Sequence, residues 1–265
     1  MEWLKYAKED KRIKVINQEN QGLSCSRNNA LKVAQGEYVF FLDADDYIRQ
    51  DTLEILYNQA QENDLDMLSF SGTNFEHGTN HLTENAYYTF RYLPENFNAE
   101  CFNYRNCKKF ITKMAVSSCL TCYKLKFLRK NNIEFPPHLF FEDNVFFTHA
   151  ILTAERCGIC KEILYFRRVH PEQVTQNLDK HYGDYLQICQ KVVDLVFALP
   201  ISESIREKYL KSYRGSAVSL FKSFSKAYQA EYTDKLQAFL DNNIKTKTRS
   251  YKLFDFIPLL SVEEK

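Results

Sequence analysis

Short apolar runs alternate with stretches of helical periodicity through the first 169 residues of the chain. Apolar runs predict strands at 13–16, 38–42, 66–70 and 163–169, and apolar residues at helical spacing predict helices over 1–11, 23–34 and 51–61. Strands that alternate with helices are typical of α/β proteins with a parallel sheet. We therefore predict a Rossmann-like sheet in this part of the protein.

Two other regions depart from this alternation of strands and helices. Residues 71–107 are rich in Asn, Tyr, Phe and Thr without a clean period, which is typical of a binding loop or a small antiparallel ribbon. Helical spacing dominates the last third of the chain. We accordingly divide the protein into a domain over 1–177 and a helical C-terminal extension over 178–265. The apolar segment 251–260 either docks on the domain or lies on a membrane surface.

Composition and charge narrow the classes of function. The chain has 265 residues and a net charge of +1, without a basic run, which argues against nucleic acid as its main partner. It contains no apolar stretch long enough to span a membrane, and its N-terminus does not resemble a signal peptide. We therefore expect a cytoplasmic protein, located either in the cytosol or at the inner face of the membrane.

The eight cysteines are expected to be reduced thiols in such a compartment. Two pairs, Cys119 with Cys122 and Cys157 with Cys160, have the local spacing of zinc ligands. The gap between the pairs is longer than zinc sites usually show, and both pairs lie in apolar, strand-like sequence. Small buried hydrophobic residues are the favoured interpretation, with zinc as the alternative.

An acidic run follows the apolar segment 38–42. Asp43 and Asp45 are separated by one residue, so in extended chain their side chains point to the same side, and Asp46 follows directly. Clustered carboxylates repel one another unless a cation or hydrogen-bond donors stabilise them, which indicates Mg²⁺ or Mn²⁺ with a phosphate. The alternative is that these acids cap the next helix. Residues 51–54 already form a capping box, which makes that role redundant.

Two further helix starts carry candidate chemistry. Ser24 lies in the first turn of the helix over 23–34, where free N–H groups favour an anion, and Arg27 and Asn28 follow within reach. The alternative for Arg27 is a solvated helix charge. Glu142 and Asp143 lie in the first turn of a later helix, and taken alone they are expected only to cap it. We expect Leu23, Ala30, Leu31 and Ala34 on the inner face of the helix over 23–34.

Taken in order, these segments resemble the family 2 glycosyltransferases of the GT-A fold. The matching segments are 20–24, 27–28, 36–38, 41–46, 141–143 and 165–168. The resemblance implies an α/β, GT-A-like Rossmann-type mixed sheet with a helical C-terminal extension. It also implies an inverting transfer of a sugar from a nucleotide-sugar, often a UDP-sugar, to a hydroxyl of a glycan or lipid-linked glycan. We expect the product to be a bacterial surface polysaccharide or lipooligosaccharide.

The same resemblance assigns roles to the candidate residues. Asp45 would bind the Mn²⁺ or Mg²⁺ that bridges the diphosphate, and Asp43 would contact the ribose or support the metal site. Asp143 would be the general base for the acceptor hydroxyl, with Glu142 orienting it, and a partly exposed helix N-terminus is expected to favour the ionised form. Ser24, Arg27 and Asn28 would contact the nucleotide-sugar, and His170 would contact the metal, with a plain surface histidine as the alternative for His170.

One departure from the family pattern leaves alternatives open. The family usually begins with two strands whose loops hold the base and ribose of the nucleotide, and this sequence shows neither. Either the start lies upstream, or the chain is a fragment that binds nucleotide-sugar poorly, and we expect exposed strand edges and apolar helix faces. A non-catalytic remnant is one alternative. An aspartate-nucleophile phosphatase is another, but the Gly-Thr pair expected after its second Asp is replaced by Asp46 and Tyr47.

Overall fold

The computed structural model describes residues 3–79, 81–169 and 178–244. Its helices are α1 (Trp3–Glu9), α2 (Leu23–Val33), α3 (Thr52–Glu62), α4 (Leu125–Lys130), α5 (Asp143–Thr153), α6 (Tyr182–Ala198), α7 (Glu203–Lys222) and α8 (Lys226–Ile244). Its strands are β1 (Tyr38–Phe40), β2 (Tyr47–Ile48), β3 (Met67–Glu76), β4 (Leu82–Thr83), β5 (Thr121–Lys124) and β6 (Cys157–Val169). None of the helices within these ranges is long and apolar enough to cross a membrane.

The strands form one mixed sheet in the order β1-β5-β3-β6-β2, with β4 beside the end of β3. Strands β3 and β6 are parallel, and the remaining paired strands are antiparallel. The predicted α/β class with a mixed sheet is confirmed. The parallel sheet suggested by the alternation of elements is only partly present, because the short strand β5 enters between β1 and β3 in the opposite direction.

A bulge bends the centre of the sheet. The register between β3 and β6 shifts on either side of Ser71, before Gly72. A Cβ atom at Gly72 would lie 2.8 Å from Leu120 Cδ2 and 3.2 Å from the backbone oxygen of Tyr165, so only glycine fits without a local shift. Beyond the bulge, β3 and β6 continue as a ribbon that carries β2 and β4 on its two sides. This ribbon brings residues of β6 beside the acidic run.

An aromatic cluster forms the core beneath the acidic run. Phe41 makes edge contacts with Phe135 and Phe146 at ring-centre distances of 5.3 and 5.8 Å, and the last two rings stack at 3.9 Å. Tyr123 of β5 adds an edge contact to Phe146 at 5.2 Å. All four rings are buried. They join the end of β1 to the segment before α5, which places the two acidic segments of the sequence on the same core.

The described part of the chain before β1 differs from the expected pattern. Residues 13–16, expected as a strand, form none, because no neighbouring strand is present in the described ranges to pair with them. Ile13, Val15 and Ile16 are exposed, and within those ranges β1 pairs with β5 alone. The expectation of an unpaired strand edge and exposed apolar side chains agrees with this arrangement.

The inward face of α2 was predicted correctly for Leu31 and Ala34, which lie on the core, and wrongly for Leu23 and Ala30. Leu23 is 52% exposed and Ala30 is exposed, whereas Ser24, Arg27 and Leu31 are buried. The hydrophobic pattern assigned an apolar face and so could not anticipate a buried arginine at its centre.

Helices α6, α7 and α8 pack together as the helical periodicity predicted. Tyr213 of α7 donates a hydrogen bond to Asn144 Oδ1 of α5 at 3.0 Å, and Tyr182 of α6 donates to the backbone oxygen of Ala217 at 2.8 Å. These contacts hold the C-terminal helices against α5, which carries the acid pair on its first turn. The apolar segment 251–260 lies outside the described residues.

Candidate active site

Arg27 joins carboxylates from two distant parts of the chain. Its Nη1 donates to Glu142 Oε1 and Asp143 Oδ1, each at 2.9 Å, and its Nη2 donates to Asp43 Oδ1 at 2.9 Å. The guanidinium is planar and presents several N–H donors in a fixed fork, which suits several carboxylate partners at once. The end of β1 and the start of α5 are therefore held together by one side chain of α2.

The surroundings of Arg27 make this cluster a buried one. Arg27 is 7% exposed, and its guanidinium carbon lies 5.8 Å from the ring centre of Phe41 and 5.3 Å from that of Phe135. The Sγ of Cys119 accepts from Nη2 at 3.7 Å. A buried arginine is costly without counter-charges, and here three carboxylates supply them. The alternative of a solvated helix charge is therefore wrong for Arg27.

Glu142 and Asp143 lie where the chain turns into α5. Phe141, immediately before them, adopts a left-handed conformation with φ of 66°, which is unusual for a large side chain and marks a strained turn. Glu142 occupies the helix N-cap position but makes no capping hydrogen bond with its side chain. Its carboxylate bonds Arg27 instead, so capping does not account for it.

Burial changes the protonation of this pair. Burial raises the pKa of Glu142 to about 7, and the neighbouring Asp143 charge adds to the rise while Arg27 opposes it. Burial also raises the pKa of Asp143, against the opposing effects of Arg27 and Ser118. The helix N-terminus was expected to favour the ionised forms, and that expectation is wrong because desolvation dominates. A raised pKa brings a carboxylate closer to the range of an effective base at neutral pH.

The three carboxylates of the acidic run have different environments. Asp43 is half exposed and bonds Arg27, while Asp45 is exposed. Asp46 is fixed to β6, because its Oδ2 accepts from the hydroxyl of Tyr165 at 2.5 Å and its Oδ1 accepts from the backbone N–H of Arg168 at 2.8 Å. Burial raises the pKa of Asp46, although both hydrogen bonds oppose the rise. Asp46 thus anchors the loop that presents the other two.

The capping box expected at 51–54 is not formed as predicted. The Asp51 carboxylate makes no capping hydrogen bond and accepts from Arg49 Nε at 2.6 Å. Arg49 also donates to Glu162 at 2.7 Å, so this pair links the start of α3 to β6. Two of the earlier acids have other partners, because Asp43 bonds Arg27 and Asp46 bonds Tyr165 and the backbone of Arg168.

The other predicted residues fall into three groups. The side chain of Asn28 bonds the backbone of Phe135 twice, donating to its oxygen at 2.8 Å and accepting from its N–H at 2.9 Å, so this amide holds the segment that leads to α5. Ser24 is buried on the inward face of α2. His170 lies outside the described residues. The cysteine pairs 119/122 and 157/160 are buried free thiols, as the favoured interpretation predicted.

The acidic run provides oxygen atoms for a divalent cation but does not by itself surround one. Within the described ranges, no three His, Cys, Asp or Glu side chains are grouped as a metal site. Mg²⁺ and similar ions in nucleotide sites usually take one or two carboxylates together with substrate phosphates and water. Exposed Asp45 and half-exposed Asp43 could supply the one or two carboxylate ligands of such a site. The residues are therefore compatible with a cation that is shared with a nucleotide diphosphate.

A cavity of about 50 Å³ opens beside this loop. It is lined by residues of the acidic run, of both strands of the ribbon and of the segments between them: Asp43, Asp46, Gly72, Thr73, Tyr88, Ser117, Cys119, Leu120, Tyr165 and Arg167. The sequence indicated a binding loop within 71–107 but not that Tyr88 would reach the acidic run. Tyr165 and Arg167 belong to the segment 165–168 that matched the family pattern, which was the available signal for them.

The sequence is similar to those of known glycosyltransferases. Residues 3–123 match the family model described as Glycosyl transferase family 2. EpsH of Bacillus subtilis, which its name describes as a glycosyltransferase, is 30% identical over 177 residues, covering 66% of this chain and 50% of EpsH. A cholesterol galactosyltransferase of Borreliella burgdorferi is 45% identical over 64 residues, covering 24% of this chain and 18% of that protein.

The fold has counterparts among solved structures. The crystal structure of Staphylococcus aureus TarS 1-349 in complex with UDP-GlcNAc superposes with a TM-score of 0.66 at 20% identity, covering 86% of this chain and 63% of TarS 1-349. This likeness shows the fold, which is that of the GT-A enzymes. The chain spans about half the length of EpsH.

Proposed function

We propose that this chain, as a member of glycosyl transferase family 2, transfers a sugar from a UDP-sugar to a hydroxyl of a glycan or lipid-linked glycan. The observation that carries the proposal is the position of Arg27, which bonds Asp43 on one side and Glu142 and Asp143 on the other. The carboxylates that we assign to the donor and to the acceptor would then lie on either side of one guanidinium, an arrangement that suits a reaction between two bound substrates.

On the donor side, we assign the diphosphate to the exposed edge of the acidic run. Asp45, with Asp43, would hold a Mn²⁺ or Mg²⁺ ion, which when bound neutralises charge on the departing diphosphate. Arg27 acts through Asp43, because its N–H groups are directed at carboxylates. Asn28 acts through the segment at Phe135. The role expected of His170 toward the metal, and that of Ser24 toward the nucleotide, stay predictions.

On the acceptor side, we assign the base to Asp143. It would take the proton from the acceptor hydroxyl as that oxygen attacks the anomeric carbon from the face opposite the diphosphate, which inverts the configuration in a single displacement. The raised pKa of Asp143 supports this role, because the base must release and regain a proton near neutral pH. Glu142, bonded to the same Nη1 of Arg27, keeps the pair in place.

We further propose that the product is a bacterial surface polysaccharide or lipooligosaccharide, made at the inner face of the membrane. Family membership supports this context. A second candidate function, a non-catalytic binding module, is favoured by one observation: β1 pairs with β5 alone among the described strands, and apolar side chains such as Val15 and Leu42 are exposed. Binding of the donor nucleotide separates the two candidates.

The test is calorimetric titration of UDP with Mn²⁺ into the 265-residue chain, beside Asp45→Asn and Asp51→Asn. Asp51 is an exposed carboxylate just after the acidic run that bonds Arg49, so it is a matched control. Metal-dependent binding that is lost in Asp45→Asn and kept in Asp51→Asn would support the enzyme. Equal binding by both variants would contradict the role of Asp45, and a folded chain that binds no UDP would favour the binding module.

A further inference from the structure

A second cavity, with a volume of about 640 Å³, lies between the end of α3, the start of β3 and the first half of β6. Its floor is apolar, because the side chains of Leu65, Leu68 and Ile159 line it, and all three are buried. Sites that bind ligands usually have volumes of about 300–1,000 Å³. This cavity, called the α3–β6 groove below, therefore has room for several side chains of a partner.

An irregularity in β6 shapes one wall of the α3–β6 groove. Phe70 of β3 lies opposite Cys160, but the next residue, Ser71, lies opposite Ile163, so two residues of β6 have no partner on β3. A bulge of this kind bends a strand and redirects its side chains. The two extra residues, 161 and 162, both line the groove. This part of β6 thus contributes to the groove rather than to the pairing of the sheet.

The rim of the α3–β6 groove is mainly acidic. Glu62, Glu100 and Glu162 line it, together with one basic residue, Lys161. Glu162 accepts from Arg49 at 2.7 Å, whereas Glu62 and Glu100 form no ion pair with any residue that the structure describes. An occupant that suits the groove therefore combines apolar side chains for the floor with positive charges for the rim.

The chain itself contains a segment with this chemistry after α8. Residues 253–260 are apolar except for Asp255. Residues 245–252 contain no acid and carry four positive charges, at Lys245, Lys247, Arg249 and Lys252. The basic part complements the acidic rim of the groove, and the apolar part complements its floor.

The end of α8 lies on a side of the molecule from which the groove can be reached. Helices α7 and α8 pack together and are joined by a short connection, so α8 ends beside the first half of α7. In that half, Lys208 bonds the backbone oxygen of Lys108. The same loop carries Glu100, and its rings Phe97 and Phe110 are in contact at 6.2 Å. Eight residues of extended chain span about 26 Å, which gives the segment after α8 ample reach.

We propose that the α3–β6 groove is the docking site of residues 245–260 of the same chain. The basic residues lie at the rim, beside Glu62 and Glu100, and the apolar residues cover the floor and are thereby removed from water. This inference does not depend on the proposed function. A second copy of the chain and an anionic membrane are the competing partners for this segment, and the experiment distinguishes them.

The experiment follows amide hydrogen exchange of the full chain by mass spectrometry. Docking predicts that residues 253–260 exchange roughly 10-fold or more slowly than in a synthetic peptide of residues 245–265. Glu62→Lys with Glu100→Lys should remove most of this slowing, and so should Lys247→Glu with Lys252→Glu. Combining all four changes should restore it, because the charges are then exchanged between the two sides. The control is Glu54→Lys, an exposed site at the other end of α3, which should change nothing.

A second measurement identifies the chain to which the segment belongs. Carbodiimide joins amines to adjacent carboxylates in an equal mixture of ¹⁵N-labelled and unlabelled protein. Docking within one chain predicts that Lys247 or Lys252 is joined to Glu62 or Glu100 in products that carry a single label type. Products of mixed label would overturn the proposal in favour of a second copy.

Two results of the exchange experiment would also overturn the proposal. Fast exchange of residues 253–260 in the free chain, slowed only by phosphatidylglycerol vesicles, would assign the segment to a membrane. Slowing that is equal in the unchanged chain and in both charge-reversed variants would show that the groove is not the docking site. If Glu62→Lys with Glu100→Lys does not fold, Lys247→Glu with Lys252→Glu tests the same contact with changes confined to the segment itself.

Discussion

Replacing Arg27 with Met is expected to lower the free energy of unfolding by about 3–5 kcal/mol at pH 8. The Met side chain is nearly as long as that of Arg but carries no charge, so packing against Phe41 and Phe135 is largely kept. The loss comes from carboxylates that remain buried without a partner. Glu142 and Asp143 account for most of it, since their side chains are 10% and 23% exposed. Asp43, at 42%, contributes at most about 1 kcal/mol.

The loss should depend on pH in a defined direction. Burial raises the pKa of Glu142 from 4.5 to about 7 in the folded protein, so the folded state holds more protons than the unfolded state between these values. Glu142 therefore contributes its full stabilisation of the folded state below pH 4.5, and this contribution declines as the pH rises toward 7. Without Arg27 the folded-state pKa of Glu142 and Asp143 rises further and the decline extends above pH 7. The free energy of unfolding of the variant should thus be only slightly lower than that of the unchanged protein at pH 5 and much lower at pH 8.

Urea unfolding followed by circular dichroism at both pH values measures this difference. The control is Arg105→Met, which breaks an exposed pair with Glu155 and should cost at most about 1 kcal/mol at either pH. A loss for Arg27→Met below about 1 kcal/mol at pH 8 would show that the carboxylates are solvated rather than buried. An equal loss at pH 5 and pH 8 would show that lost packing, not charge, explains the effect.

Two other predictions address the bulge and the base. Gly72→Ala is expected to lower the free energy of unfolding by about 1–3 kcal/mol, because its Cβ would press on Leu120 and Tyr165; Gly215→Ala, in α7 with open space around it, is expected to raise it by about 0.5–1 kcal/mol. Urea unfolding checks both, and equal effects would contradict the close approach at the bulge. Asp143→Asn is expected to leave UDP affinity unchanged while abolishing release of UDP from a UDP-sugar in the presence of an acceptor, and retained turnover would exclude Asp143 as the base.

The sequence predicted the elements that carry the site but not the link between them. Apolar residues followed by acids placed Asp43 after a strand, and the residues before α5 placed Asp143 in a first turn. Local patterns could not show that Arg27 bonds Asp143 across 116 positions of the chain. The same limit explains the error on α2, because hydrophobic spacing treats arginine as a surface residue, whereas burial of Arg27 depends on carboxylates contributed by tertiary structure.

The arrangement around Arg27 also affects how variants of the acidic run should be interpreted. Asp43, Glu142 and Asp143 share one guanidinium, so neutralising Asp43 leaves Arg27 with two carboxylates and strengthens its interaction with each. The pKa of Asp143 would then fall, because Arg27 is the principal group opposing its rise. A substitution at Asp43 therefore changes the proposed donor side and the proposed base together. Asp45 lies at the exposed edge of the acidic run, whereas Asp43 is part of the cluster around Arg27, so substitution of Asp45 is the cleaner measure of the donor side.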